Sequence, residues 1–203
     1  MMKTWMAVAV GVVLGAVALV AVRAVATAPE EPVHFHANFA MFVNGERYDL
    51  SDDRFMEDVA LCGEDAHRIS PPARVHLHNN NQDVVHVHHG GATWGHFMAN
   101  LRMVLGDRIL VTRDGEVHQT GGGSTLKFIL NGRPELSVYN EPIRPGDRLL
   151  VSYGAEAEAE VVASQFPQVA SDAPQFDLLP DPAGCGGGHS HGWRERLRHA
   201  LIG

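Results

Sequence analysis

The hydrophobic pattern divides the chain into stretches of different period. From Trp5 to Val22 the sequence is apolar without a break (WMAVAVGVVLGAVALVAV), and Arg23 then interrupts it. Extended through Ala24, Val25 and Ala26 with Arg23 snorkelling, this run matches the ~20 residues that span about 30 Å of hydrocarbon. From residue 33 the pattern changes to period two, the signature of a strand whose side chains alternate between faces. In VHFHANFAMFV (33–43), Phe35, Phe39, Met41 and Val43 point into a core, while His34, His36 and Asn38 share the opposite face. In RVHLHNNNQDVVHVHHGGATWGHF (74–97), His76 and His78 alternate with Val75 and Leu77, and His86 and His88 with Val85 and Val87. Asn79 to Asp83 reads as the loop of a hairpin. All four of these histidines have even numbers, so an antiparallel pairing of even-sum register places them on one face of a sheet.

A helical period follows. Thr93 is a predicted N-cap, and Trp94, Phe97, Met98, Leu101, Val104 and Leu105 make the apolar stripe of a helix running to about Leu105 and capped by Gly106. Asn44-Gly45, Asp114-Gly115, Asn131-Gly132 and Pro145-Gly146-Asp147 predict turns between strands, with strands at 108–112, 116–120, 125–130 and 148–153. Residues 51–73 are polar and irregular and contain Cys62, His67 and Pro71-Pro72. The pattern predicts an α+β domain at 33–154 with a mixed sheet and one packed helix, preceded by a β-hairpin. Residues 155–203 read as a flexible tail, because 155–159 alternate Glu and Ala and 161–183 are rich in Pro, Asp, Gln and Ala. The tail ends in a Cys/His segment (GCGGGHSHG) and a short amphipathic stripe of Trp193, Leu197, Ala200 and Leu201 among arginines, suited to an anionic membrane surface or to docking on the domain.

Charge and composition narrow the partners. A net charge of −8 on 203 residues argues against a nucleic-acid backbone. At the N-terminus, Ala26-Thr27-Ala28 offers a signal-peptidase site, but Pro29 follows it directly and the apolar run exceeds a signal core. Residues 1–28 are therefore expected to be an uncleaved single-pass transmembrane anchor in the cell membrane, with the domain extracytoplasmic. The two cysteines, Cys62 and Cys185, form no Cys-x-x-Cys and leave a disulfide, isolated thiols and metal ligands all open.

Thirteen histidines change the picture most. Imidazole is a favoured ligand of zinc, copper and nickel, and strands about 4.8 Å apart let pairs on neighbouring strands converge on one ion. His34, His36, His76, His78, His86 and His88 are the candidate ligands for a transition metal ion, copper or zinc. His89 and His96, beside the Gly-Gly turn and the helix start, are secondary candidates, as are Cys185, His189 and His191 in the tail. His67, His118 and His199 are isolated and read as surface residues. No Gly-x-Ser-x-Gly elbow, His-Glu-x-x-His helix or phosphate-binding glycine loop occurs. Asp83 is the one carboxylate near the cluster, so metal capture, delivery or sensing is expected rather than turnover. Expected partners are the membrane and an envelope protein acting as metal donor or acceptor. The alternative is a non-enzymatic envelope adaptor or ligand-binding module whose histidines form a pH-responsive surface.

The segments GATWGHF, LKFILNGRP and IRPGDRLLVSYG resemble the β-grasp domains of the soluble-ligand-binding and transcobalamin-like type, over residues 74–154. The resemblance implies a mixed sheet with one helix across its face. The wider run from HFHANF to DRLLVSYG is similar to small His-rich membrane-anchored proteins of bacteria and archaea, some of them labelled disulfide isomerases. The absence of Cys-x-x-Cys keeps that activity from being carried over.

Overall fold

The computed structural model describes residues 2–26, 33–57 and 74–179; within the first stretch, side chains are described without a break only over 8–23. These residues fall into two units, helix α1 (Met2–Ala26) and everything from residue 33 onward. Among the described residues no helix is long and apolar enough to cross a membrane.

The second unit is a mixed α+β domain built on a seven-stranded sheet. Its strands are β1 (Phe35–Val43), β2 (Glu46–Arg47), β3 (Val75–His76), β4 (Val84–Val87), β8 (Thr125–Leu130), β9 (Arg133–Glu135) and β10 (Arg148–Gly154). The spatial order is β3-β4-β1-β10-β8-β9, with β2 also paired to β1. β1 and β10 run parallel, from Asn38 opposite Arg148 to Val43 opposite Tyr153, and the remaining pairs are antiparallel. Three short strands between helix and β8, namely β5 (Val104–Leu105), β6 (Ile109–Val111) and β7 (Val117–Gln119), form a separate sheet in that order.

Turn chemistry accounts for the registers. Asn44 and Gly45 have φ of 53° and 83°, and Asn131 and Gly132 have 54° and 80°. Two successive positive φ values define the type I′ turn whose twist suits a tight hairpin, which is why Asn-Gly stands at both places. Register then decides the faces. His36 lies opposite His86, and His86 opposite His76, so one cross-strand row carries three histidines. This is the even-sum register that the sequence predicts.

One face of the sheet packs on helix α2 (Trp94–Asn100) through Phe39, Met41, Val85, Val87, Trp94, Phe97 and Leu149. Thr93 caps α2 as expected: its Oγ1 accepts from the His96 N–H (3.2 Å), and His96 Nδ1 accepts from the Thr93 N–H (3.1 Å). The helix is shorter than the periodicity predicts. Arg102 takes a left-handed φ of 58°, its N–H reaches the Ala99 carbonyl and the Met103 N–H reaches the Met98 carbonyl, closing a Schellman turn without Gly106. The run Leu101-Arg102-Met103-Val104-Leu105 satisfies two periods at once. Here the strand period wins: Leu101, Met103 and Leu105 are buried, Val104 is exposed, and Val104–Leu105 pair with β6.

The larger departure concerns residues 155–179, expected to be flexible. They form a strap of α3 (Glu158–Glu160), a π turn (Val161–Gln165), a 3-10 turn (Phe166–Gln168) and α4 (Ala173–Phe176). Val161 and Val169 pack on Ala40, Phe42, Ile129 and Leu150, forming a second apolar cluster on the sheet's other face. Arg148 fastens the strap: its Nε donates to the Ala170 carbonyl (2.8 Å), Nη2 donates to the Val169 carbonyl, and the guanidinium lies over the Phe166 ring. Composition favoured disorder because the strap's few apolar residues are scattered. What orders it is an apolar patch on an already formed sheet, with Ala40 and Phe42 continuing the even-numbered face of His34 and His36. The remaining tail, including Cys185, His189, His191, His199 and the stripe from Trp193, lies outside the described residues, as do Cys62 and His67.

Asn38 joins strap to sheet. Its Nδ2 donates to the Asp83 carbonyl (3.0 Å) and to Asp172 Oδ1 (2.8 Å), and its Oδ1 accepts from the Ala173 N–H (3.0 Å). Asn38 is fully buried, so truncation leaves three polar groups without their partner. Asn38→Ala is expected to lower stability by about 3 kcal/mol and to accelerate amide exchange across 161–177 more than in α2. Denaturant titration and exchange measured peptide by peptide check both.

Candidate metal centre

The site is the even-numbered face of β1, β3 and β4 at the end away from the second apolar cluster. Three histidines are set by the strands themselves. β1 supplies His36, β3 supplies His76 and β4 supplies His86, each on the same face because the register is even. His34 precedes β1, His78 follows β3 and His88 follows β4, and their side chains continue the same face. The six rings are contiguous. Centroid separations are 4.7 Å for His34–His36, 4.9 Å for His34–His88, 4.3 Å for His36–His86, 3.6 Å for His78–His86 and 5.0 Å for His76–His88.

The face is not solvated. His36, His76, His78 and His86 are 1%, 0%, 4% and 5% exposed, and His34 and His88 are half-buried. The strap is one cover, with the Phe176 ring 5.9 Å from that of His36. Within the cluster, His34, His36 and His86 form a group that could hold a metal ion, one ligand nitrogen from each lying within 4.8 Å of the others. Nε2 of His34 is buried with no hydrogen-bond partner among the described residues. His86 Nδ1 stands at the middle, 2.8 Å from His36 Nε2 and 2.9 Å from His78 Nε2.

Proton counting shows what such an arrangement lacks. A neutral imidazole carries one proton, and two nitrogens at hydrogen-bond distance need one proton between them. His86 Nδ1 meets two imidazole nitrogens, yet its one in-plane position, N–H or lone pair, makes one full hydrogen bond. A metal cation satisfies several lone pairs at once. His86 itself takes no further proton: burial first, and then the neighbouring His78, His36, His76 and His88, push its pKa far below the usual histidine range. His86 is thus neutral in the fold, the state a metal ligand requires.

The strap adds a carboxylate that sequence reasoning missed. Asp177 Oδ1 lies 2.6 Å from His36 Nδ1, with the Asp177 side chain 30% exposed. The two groups are 141 residues apart, and no local pattern marks residue 177. The one available signal was Asn38, a polar residue on the histidine face that had to be partnered once that face was covered. Asp83, the carboxylate the sequence places nearest, instead pairs with Arg47.

The secondary candidates divide. His96 is the helix cap, with Nδ1 committed to the Thr93 amide, and burial with nearby Arg74 and His89 lowers its pKa. Nδ1 of His89 contacts the Gly90 carbonyl at 2.7 Å. Neither belongs to the three-histidine group. His118 lies beside Glu116, with Nε2 and Oε2 3.6 Å apart.

Burial of neutral His86 has a consequence for stability. The unfolded chain takes up its proton near pH 6.5 while the fold refuses it, so stability is full above that pH and is lost as pH falls. With metal removed by a chelator, the unfolding free energy is expected to drop by about 1 kcal/mol between pH 6.5 and 5.5. Denaturant midpoints across that range test it, and a flat profile contradicts a buried neutral histidine. The chain matches no family model, no curated protein and no solved structure.

Proposed function

We propose that this is a membrane-anchored, extracytoplasmic protein that binds a transition metal ion, copper or zinc, for capture, delivery or sensing. One observation carries the reading: His34, His36 and His86 each present a nitrogen within 4.8 Å of the other two, beneath a covered sheet face. His78 adjoins the group through His86, and His76 and His88 stack around it. An all-imidazole set suits borderline and softer divalent ions and disfavours magnesium and calcium, which prefer oxygen. The Cys185, His189 and His191 segment is assigned the collection or hand-over of the ion, with an envelope protein as donor or acceptor. The carboxylate beside the group, Asp177, is taken up by His36 Nδ1 at 2.6 Å, which favours binding over turnover as the reading.

The anchor is the apolar run Trp5–Val22, which lies inside the 25-residue helix α1. Extended through Ala26, that run reaches the ~20 residues that a span needs, and the proposal of an anchor rests on this sequence pattern. Its described side chains support the assignment: Trp5, Val8, Leu14 and Leu19 are among many left exposed. The fold is assigned to the β-grasp type on its strand order. The order β4-β1-β10-β8-β9, with a parallel pair at its centre and α2 between β4 and β8 in the chain, supports this reading. On this assignment the unit begins at β1 rather than at residue 74.

Two outcomes test the function. Full-length protein in detergent is expected to bind about one copper or zinc ion per chain against a competing chelator. His36→Gln with His86→Gln should abolish binding while leaving the circular dichroism spectrum unchanged, and Cys185→Ser should leave the stoichiometry as it was. Unaltered stoichiometry in the double variant would remove the histidine face from the account. Separately, the full chain should resist alkaline extraction from membranes, whereas a chain lacking residues 2–26 should be released.

A further inference from the structure

We propose that Asp177 is a positioning residue of the histidine centre: it holds the proton of His36 on Nδ1 and so leaves the Nε2 lone pair for the ion. The role toward the ion rests on the metal-binding reading above, whereas the assignment of Asp177 to His36 rests on geometry alone.

The argument starts from the 2.6 Å contact between Asp177 Oδ1 and His36 Nδ1. A carboxylate oxygen only accepts. With the proton on Nε2, the Nδ1 lone pair would face that oxygen at the same distance, in a site where His36 is 1% exposed and water cannot intervene. The Nδ1–H form is therefore the one the fold selects. It turns the opposite nitrogen toward His86 Nδ1, 2.8 Å away, and into the group with His34. A carboxylate behind a ligating imidazole raises its basicity and fixes its ring.

Charge gives the same result. Three neutral imidazoles leave the full charge of a divalent ion in a buried site, which is unfavourable without an anion close by. Asp177 supplies one negative charge one ring away. The rings described against His36, those of His34, His86 and Phe176, carry no negative charge of their own.

The position of Asp177 is built rather than incidental. Asn38, two residues from His36 on the same face of β1, grips Asp172 Oδ1 and the Ala173 amide at the start of α4. α4 then carries the chain to Phe176 and Asp177 over the ring of His36. A ligand on the first strand is thus completed by a residue near the end of the strap.

The test uses full-length, 15N-labelled protein in detergent micelles, with zinc as the probe. In the metal-free wild type, imidazole 15N shifts should report a protonated Nδ1 and a lone pair on Nε2 at His36, and Asp177→Ala should lose that preference. Zinc affinity, by chelator competition, should fall about 10–100-fold in Asp177→Ala, partly in Asp177→Asn, and recover in Asp177→Glu. Amide exchange across 161–172 should stay unchanged in Asp177→Asn, separating this role from docking of the strap. A wild-type His36 protonated on Nε2, or an alanine variant with unchanged tautomer and zinc affinity, overturns the proposal. If the tautomer depends on Asp177 but the wild type takes up no metal, the metal reading fails and the assignment of Asp177 to His36 stands.

Discussion

The strap of residues 158–177 closes over the second face of the sheet and brings Phe176 and Asp177 against His36, at the edge of the histidine face. β1 lies between β4 and β10 and is buried on both sides along its length. One side meets α2 and the main core. The other would expose Ala40, Phe42, Ile129 and Leu150 beside the histidines, were Val161 and Val169 not packed against them. Once that apolar half is covered, Asn38 and Arg148 hold the strap in line, and its end lies over His36. Apolar packing at one end of the face therefore positions the strap residues that meet His36 at the other.

Covering the face alters its chemistry. Exposed imidazoles are hydrated and titrate near pH 6.5. Here burial and mutual repulsion hold His86 neutral, and its Nδ1 lies within hydrogen-bond distance of two imidazole nitrogens at once. On the proposed reading the ion binds these nitrogens, and rigid strands, rather than loops, keep three of the candidate ligand positions in register.

Much of this was legible in the sequence, and the parts that were not share one cause. The alternation in 33–43 and 74–88 gave the strands, the even numbering gave the common face, and two Asn-Gly pairs gave the hairpins. Thr93 gave the start of α2 because capping is a local interaction. Its end was misplaced because 101–105 fits both helical and strand periods, and the choice was made by pairing with β6. The strap was read as flexible because its order depends on a distant surface, which composition does not encode. Asp177 was invisible for the same reason, and with it the carboxylate that the histidine set seemed to lack. Period two also says which side chains share a face without saying whether that face is wet. The alternation therefore puts the histidines on one face and leaves the burial of that face open.

X-ray absorption at the metal edge of the loaded full-length protein tests the central claim most directly. The account predicts three or more nitrogen scatterers at about 2 Å with the outer-shell pattern of imidazole, lost together with the metal in the His36→Gln, His86→Gln variant. A shell dominated by sulfur would move the site to the cysteines, and a protein that retains no metal at all would contradict the account.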